Sequence, residues 1–485
     1  MKMDVFTGGN YRSLSYMADA ERCVNWYPEV MEVPGAKSRM VLYPTPGVTT
    51  LITLADFPVR GLFDQQFFAP ASTANPHFFA VSGSTGYAVD ATTLGMLSFP
   101  VTASALPAAF ASNGAIGKQL MILSGGTAKI IDLTTVTVAA TVSLSATHCG
   151  MLDGFGIALD PASGTMKISD LNDLTTWNAA QVQKRNTAGD QWIAMAVAHS
   201  DILLIGAKTG EYWYDAGTSP FPFQQRPGTL FQAGIVAPYS LCEVDKQLMW
   251  LGANSQGASI VWREQGYQPM RVSDHALEAE LQNYSTISDA VAFTYQEYGH
   301  TFYILNFPTA GKTWAWDSGT GLWAERGYWN SNTMQYESLR YQSSCYTGGQ
   351  HLVGDRVTGA IYVASANNLL DAGSSPIRRL RTSPPIANEN KWLFHSELNV
   401  DFEVGVGTAT SQGQNPQAML RWSDDGGKTF GNEHWTSVGP IGAFKQRAIW
   451  RRLGRARDRV YELSVSDPVQ YRIINAYVEA EQGTS

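Results

Sequence analysis

"TFYILNFPTAGKTWAWDSGTGLWAERGYW", residues 301–329, decides how the chain is read. An apolar run meets a Pro-Thr-Ala-Gly turn, and an aromatic run follows. Next comes an Asp-Ser-Gly-Thr-Gly turn, then a third apolar segment. Short β-rich runs separated by Gly, Asp and Ser mark strands joined by tight turns. One such hairpin cannot bury both of its faces, so it needs copies of itself to stack against.

Those copies are present as pattern more than as identity. "FFAVSGSTGYAVDATTLGMLSF" starts at Phe78, "LMILSGGTAKIIDLTTVTVAATVSL" at Leu120 and "GIALDPASGTMKISDLNDLTTWN" at Gly156. "ILLIGAKTGEYWYDAGTSPFPFQQ" starts at Ile202 and "LMWLGANSQGASIVWREQGYQPMRV" at Leu248. A shorter copy, "LVGDRVTGAIYVAS", starts at Leu352. The starts lie about 35 to 55 residues apart, the range of a four-stranded propeller blade. A β-sandwich would give many short strands without this shared grammar. The expected fold is all-β: a propeller of six or seven blades over residues 51–375, with a strand from about Val48 to Leu62 completing the last blade.

Residues 1–50 read as an extended arm. Pro28, Pro34, Pro44 and Pro46 forbid a continuous helix and disfavour a central strand. Trp26, Tyr27, Val41, Leu42 and Tyr43 give the arm apolar surface to lay across its own domain or a neighbouring subunit. Helical text is confined to "DHALEAELQNY", Asp274 to Tyr284, with Ser273 or Asp274 as N-cap. After the Pro/Ser/Arg-rich stretch "SSPIRRLRTSPPIANENK" the grammar changes. Alternation in Glu397 to Val404 predicts half-buried strands, and residues 376–485 read as an antiparallel, sandwich-like β-domain.

Composition agrees. The 485 residues carry 45 Gly, 14 Trp, 21 Tyr and 20 Phe, with only 16% charged. A net charge of −8 argues against tight nucleic-acid binding by the whole surface. Six arginines nevertheless crowd one stretch: Arg447, Arg451, Arg452, Arg455, Arg457 and Arg459. Four widely spaced cysteines, Cys23, Cys149, Cys242 and Cys345, suit neither a zinc site nor a disulfide framework. No signal-peptide pattern or membrane-spanning apolar run is found. The expectation is a protein that folds in the cytoplasm and needs no cofactor.

Motifs for chemistry are weak. "WSDDGGKTF" from Trp422 matches the Asp-box pattern at Ser423, Asp425, Gly427 and Thr429, with Phe430 where Trp is commoner. Asp-Asp-Gly-Gly makes a tight turn whose amides the Ser, Asp and Thr side chains can bond, so the box reads as a structural hairpin. Sialidases carry such boxes away from their catalytic groups. No spacing here picks out an arginine triad, a tyrosine nucleophile or an acid–base carboxylate. The two Gly-Lys-Thr tripeptides at 311 and 427 lack the earlier glycine of a phosphate loop, having Asn306 and Trp422 there. The pair His148-Cys149 reads as core or turn.

Several stretches together resemble the packaged-DNA-stabilisation, or tail-hub (nozzle), proteins of short-tailed bacteriophages. They are "ERCVNWYPEVMEV", "LYPTPGV", "TWAWDSGTGLWAERGYW", "VGDRVTGAIYVAS", "LRWSDDGGKTF" and "WRRLGRARDRVYELSVSDPV", in that family's order. The resemblance implies a non-enzymatic virion subunit in a ring, usually hexameric, below the head-to-tail connector and assembled in the host cytoplasm. Such a ring extends the DNA channel, retains packaged genome and mounts tail fibres, spikes or a needle-like plug, and genomic DNA passes it non-specifically. In this setting Arg451, Arg452, Arg455, Arg457 and Arg459 are candidate interface residues, facing a neighbouring subunit's carboxylates in preference to the DNA channel, where dense arginines would hold DNA too firmly. The competing readings are a sialidase-like glycan hydrolase or lectin, with arginines converging on the propeller axis, and a host-cell scaffold propeller.

Overall fold

The computed structural model describes every residue except 1, 5, 7, 34, 66–76, 254–256, 258 and 484–485. Its centre is a propeller of seven antiparallel blades. Four blades follow one another along the chain, spanning residues 59–100, 109–146, 148–184 and 192–225. The fifth splits its inner strand into Gly234–Ile235 and Cys242–Val244, both paired with Gln247–Ala253. The sixth holds the stretch quoted first, as strands His300–Phe307, Lys312–Asp317 and Trp323–Arg326 after Val291–Glu297.

The seventh blade is closed from the other end of the chain. Gly47–Thr53 pairs antiparallel with Ala360–Ser365, from Gly47 opposite Ser365 to Thr53 opposite Ala360. The single strand expected from Val48 to Leu62 is two strands. A turn at Asp56 separates them: its carboxylate accepts the amides of Phe57 and Ser84 at 2.9 and 2.6 Å. The chain then re-enters as Val59–Asp64, the inner strand of the first blade. Neighbouring inner strands are stitched directly, Gln342 Nε2 donating to the Val59 carbonyl and Ser344 Oγ to that of Thr294, each at 2.9 Å.

Apolar cores lie between blades, each drawing on two successive sheets. Phe79, Val81 and Ala88 of the first blade pack on Leu120, Ile122 and Ile131 of the second. The helix His275–Gln282 covers the gap between the fifth and sixth blades with Leu277 and Leu281. Asp274 caps it, accepting the Leu277 amide at 2.7 Å.

Behind the sixth blade stands a sandwich. One sheet runs Ala448–Arg451, Leu393–Phe402, Ile473–Gln482, Met40–Pro44, Trp26–Val30. The other runs Cys23–Val24, Arg379–Thr382, Asp458–Val465, Gln417–Ser423, His434–Ser437. Trp26, Leu398, Leu420, Tyr461 and Val478 fill the space between them. The arm is thus extended but built into its own chain, on both sheets of the sandwich, and the propeller's closing strand begins inside it. Pro28 is accommodated because its strand, Trp26–Val30, lies at a sheet edge where a missing amide costs no ladder bond.

Candidate assembly site

The joint between propeller and sandwich is held by a group of ion pairs. Cys23–Val24 adds to the sixth blade in parallel, with Val24 opposite Glu325, so one sheet of ten strands runs from blade into sandwich. Arg22 clamps the Glu325 carboxylate with two bonds, at 2.6 and 2.7 Å, and Lys312 reaches it at 3.0 Å. Burial alone would raise the Glu325 pKa; the two cations overcome that and hold it down at about 2. Asn25, in the left-handed region at φ 60°, donates to the carbonyls of Gly327 and Arg378 and accepts the Gly327 amide. Arg381 is fully buried and donates to the carbonyls of Phe6 and Gly9 and to Glu21.

His300 forms a second tie. Its ring sits between Asp317 of the same blade, at 2.9 Å, and Glu29 of the arm. The bond to Asp317 is the largest of the effects that raise its pKa, to about 9 from 6.5. A raised histidine stabilises fully below its unfolded value and ceases to as pH climbs through the folded one. The denaturant midpoint should therefore fall between about pH 6.5 and 9, and His300→Gln should flatten that slope. An unchanged slope in the variant would refute the tie.

The Asp-box residues form one closed loop of bonds. Ser423 Oγ donates to Asp425 at 2.6 Å and accepts the Gly427 amide at 2.9 Å. Asp425 accepts the amides of Lys428 and Thr429, each at 3.0 Å, and the Thr429 hydroxyl at 2.6 Å. These bonds, that from Ser423 first, hold its carboxyl well below the usual carboxylate range. Gly426 and Gly427, at φ 76° and 83°, let the chain turn over Met17 and Ala20 of the arm. Asp425→Ala should speed hydrogen exchange at the amides of Lys428 and Thr429 and hardly move the global unfolding curve. Unaltered exchange there would contradict the geometry.

The arginine run divides. Arg447, Arg451, Arg452, Arg455 and Arg457 are exposed. Arg451 pairs with Glu397 at 2.9 Å, while Arg455 and Arg457 lie 4.8 and 5.0 Å from the Trp392 ring centre. Arg459 parts from them: it is 2% exposed, gripping Asp424 with two bonds and the Leu453 carbonyl with a third. Position in the sheet explains the difference, because Arg459 lies in Asp458–Val465, a strand flanked on both sides by Arg379–Thr382 and Gln417–Ser423 and buried along nearly its whole length.

Among the described residues the propeller axis offers no triad of arginines. Its cavity of about 340 Å³ is lined by Ala109, His148, Tyr239, Val291, Ser343 and Arg60, the one arginine among the described residues there. Arg60 is spent on the carbonyls of Gly83 and Leu106 and on Ser124 Oγ. Burial pushes the His148 pKa down to about 4, leaving the ring neutral. No cluster of three potential metal ligands occurs among the described residues.

Comparison with known proteins decides the family. A family model described as bacteriophage P22 Gp10, beta-propeller, matches residues 7–368. A second, bacteriophage P22 Gp10, beta-sandwich, matches residues 378–481. The chain belongs to the bacteriophage P22 Gp10 family. It is a structural protein of the phage tail, as the resemblance in its sequence implied.

No curated protein matches this Gp10-family chain. Among solved structures it is similar to the β-propeller domain of Cps50 (Swd1) from Myceliophteria thermophila, at 10% identity and a TM-score of 0.42, over 66% of this chain and 99% of that one. U3-55K follows at 9% identity and 0.37, over 66% and 98%. The WD40 repeats of RRP9 give 9% and 0.37, over 66% and 99%.

The joint residues of this Gp10-family chain went unnoticed in the sequence. Arg22, Asn25 and Glu325 lie in stretches that carried the resemblance, yet nothing local marks them as partners. Arg22 and Glu325 are 303 residues apart.

Proposed function

We propose that the chain is the subunit of a tail-hub, or nozzle, ring, hexameric as is usual for the resemblance, assembled in the host cytoplasm below the head-to-tail connector. The ring extends the DNA channel, keeps the packaged genome in the head and mounts the tail fibres, spikes or needle. It acts by assembly and not by catalysis. The observation that carries this reading is the pair of Gp10 matches across residues 7–368 and 378–481.

Two physical arguments support it. Residues from six of the seven blades converge at the propeller axis on a cavity of about 340 Å³, too small for a duplex whose major groove alone is about 12 Å wide. A DNA passage therefore lies between copies and not through any one propeller. The joint clamps propeller and sandwich through buried ion pairs, which suits a part that transmits load. In this reading the Asp-box is a brace between hairpin and arm. Of the run, Arg451, Arg452, Arg455 and Arg457 face a neighbour, while Arg459 holds the sandwich together.

Particles assembled without this protein test the genome-retention role. They should package DNA and then lose it, becoming empty or nuclease-sensitive, and adding the purified chain should restore retention. Filled heads that stay stable without it would overturn that role.

A further inference from the structure

The arm's Trp26, Tyr27, Val41 and Leu42 are buried inside their own chain, so these are not available to join copies. Another surface is. Residues 434–457, "HWTSVGPIGAFKQRAIWRRLGRAR", contain no Asp or Glu and six cations: Lys445, Arg447, Arg451, Arg452, Arg455 and Arg457. They form the open flank of the sandwich. His434–Ser437 and Ala448–Arg451 are the edge strands of its two sheets, joined where Trp450 Nε1 donates to the His434 carbonyl at 2.8 Å.

The flank is also apolar. Trp435 is 61% exposed, Ile441 61% and Phe444 72%. Phe444 is not loose: its ring covers the open face of Gly405, at φ 80°, where a Cβ would come within 2.6 Å of it. A side chain already held in place loses little freedom on binding. Exposed Trp, Phe and Arg with no carboxylates make up the residue set of a protein-binding hot spot. Among the described residues only Arg451 of the six cations is within ion-pair reach of a carboxylate.

Charge indicates the partner. Residues 376–485 hold 14 Lys and Arg against 12 Asp and Glu, whereas residues 1–375 hold 20 against 30. We propose that this flank docks on the acid-rich propeller of a second copy, with Trp435 and Phe444 as anchors and Arg452, Arg455 and Arg457 fixing orientation. Two different patches then meet, and such a contact closes into a ring when repeated. Phosphate alone would engage the arginines and leave Trp435, Ile441 and Phe444 in water, which favours a protein partner over DNA. The inference rests on the ring reading and supplies its contact.

The test is the mass of the full chain by light scattering, alone and on the connector, for wild type, Trp435→Ser/Phe444→Ser and Arg452→Glu/Arg455→Glu. All four positions are exposed, and unchanged thermal unfolding would show that the variants fold. Association should weaken roughly 30-fold or more in each variant, and high salt should weaken the wild type more than the charge variant. Variants that form rings like the wild type would overturn the inference and spare the ring reading. So would variants that form rings normally but lose affinity for a duplex DNA probe, which would make the flank a nucleic-acid face. A wild type that never forms a ring would sink both.

Discussion

Replacing Glu325 by alanine should cost about 3 kcal/mol of stability, because it leaves Arg22 and Lys312, both part-buried, without their counter-ion. The Glu325 side chain is 4% exposed, against 22% and 24% for the two cations, so water reaches the stranded cations only in part. The same change severs the point where the arm's strand joins the sixth blade. Urea unfolding of the variant should separate into two transitions, one for the sandwich and one for the propeller. In the wild type the contribution has a definite pH signature. A carboxyl with a depressed pKa stabilises fully above its unfolded value, about 4.5, and that stabilisation is lost as pH falls towards about 2. A loss below about 1 kcal/mol, in the range of an exposed pair, would show that the clamp does not hold the joint.

Trp26→Ala is expected to be comparably severe, at about 3 to 5 kcal/mol for a large aromatic removed from a filled core. Trp26 is fully buried among residues of both sandwich sheets, and its Nε1 donates to the Tyr471 carbonyl at 2.8 Å. Alanine leaves a cavity and an unpaired carbonyl together. Trp26→Phe should keep most of the volume and lose the hydrogen bond, for about 1 to 3 kcal/mol. Denaturant titration of both variants separates the two contributions. Equal losses would assign the effect to the bond and not to packing.

The propeller was legible because its signal is local and repeated. Every blade must turn within a few residues, so Gly, Asp and Ser recur at a fixed grammar, as between Phe307 and Lys312. The helix at His275–Gln282 was legible for the same reason, since its cap and its apolar face lie within one short window. Blade count was not, because it depends on where the ring closes. Gly47–Thr53 meets Ala360–Ser365 from the far end of the chain, and no local pattern sets that pairing. The Asp56 turn that splits the expected Val48–Leu62 strand is likewise made by partners at Ser84 and Thr85.

The joint was opaque for a sharper reason. A buried ion pair needs one residue on each of two distant elements, and Arg, Lys and Glu at those positions look like any solvated charge. The arginine run shows the limit at single-residue scale. Arg457 and Arg459 are two positions apart, yet one stacks on Trp392 at the surface and the other lies beneath it on Asp424. Composition located the cluster, and only the place of Arg459 in a central, buried strand divided it. The Asp-box was the opposite case, because all of its partners lie within seven residues, Ser423 to Thr429.

The ring on the head-to-tail connector is the proposal on which the other roles depend. The most direct measurement is the mass of the purified protein in solution, by light scattering, alone and after mixing with connector rings. A ring-sized particle is expected, or a monomer that gathers into a ring only on the connector. A monomer indifferent to the connector would contradict it.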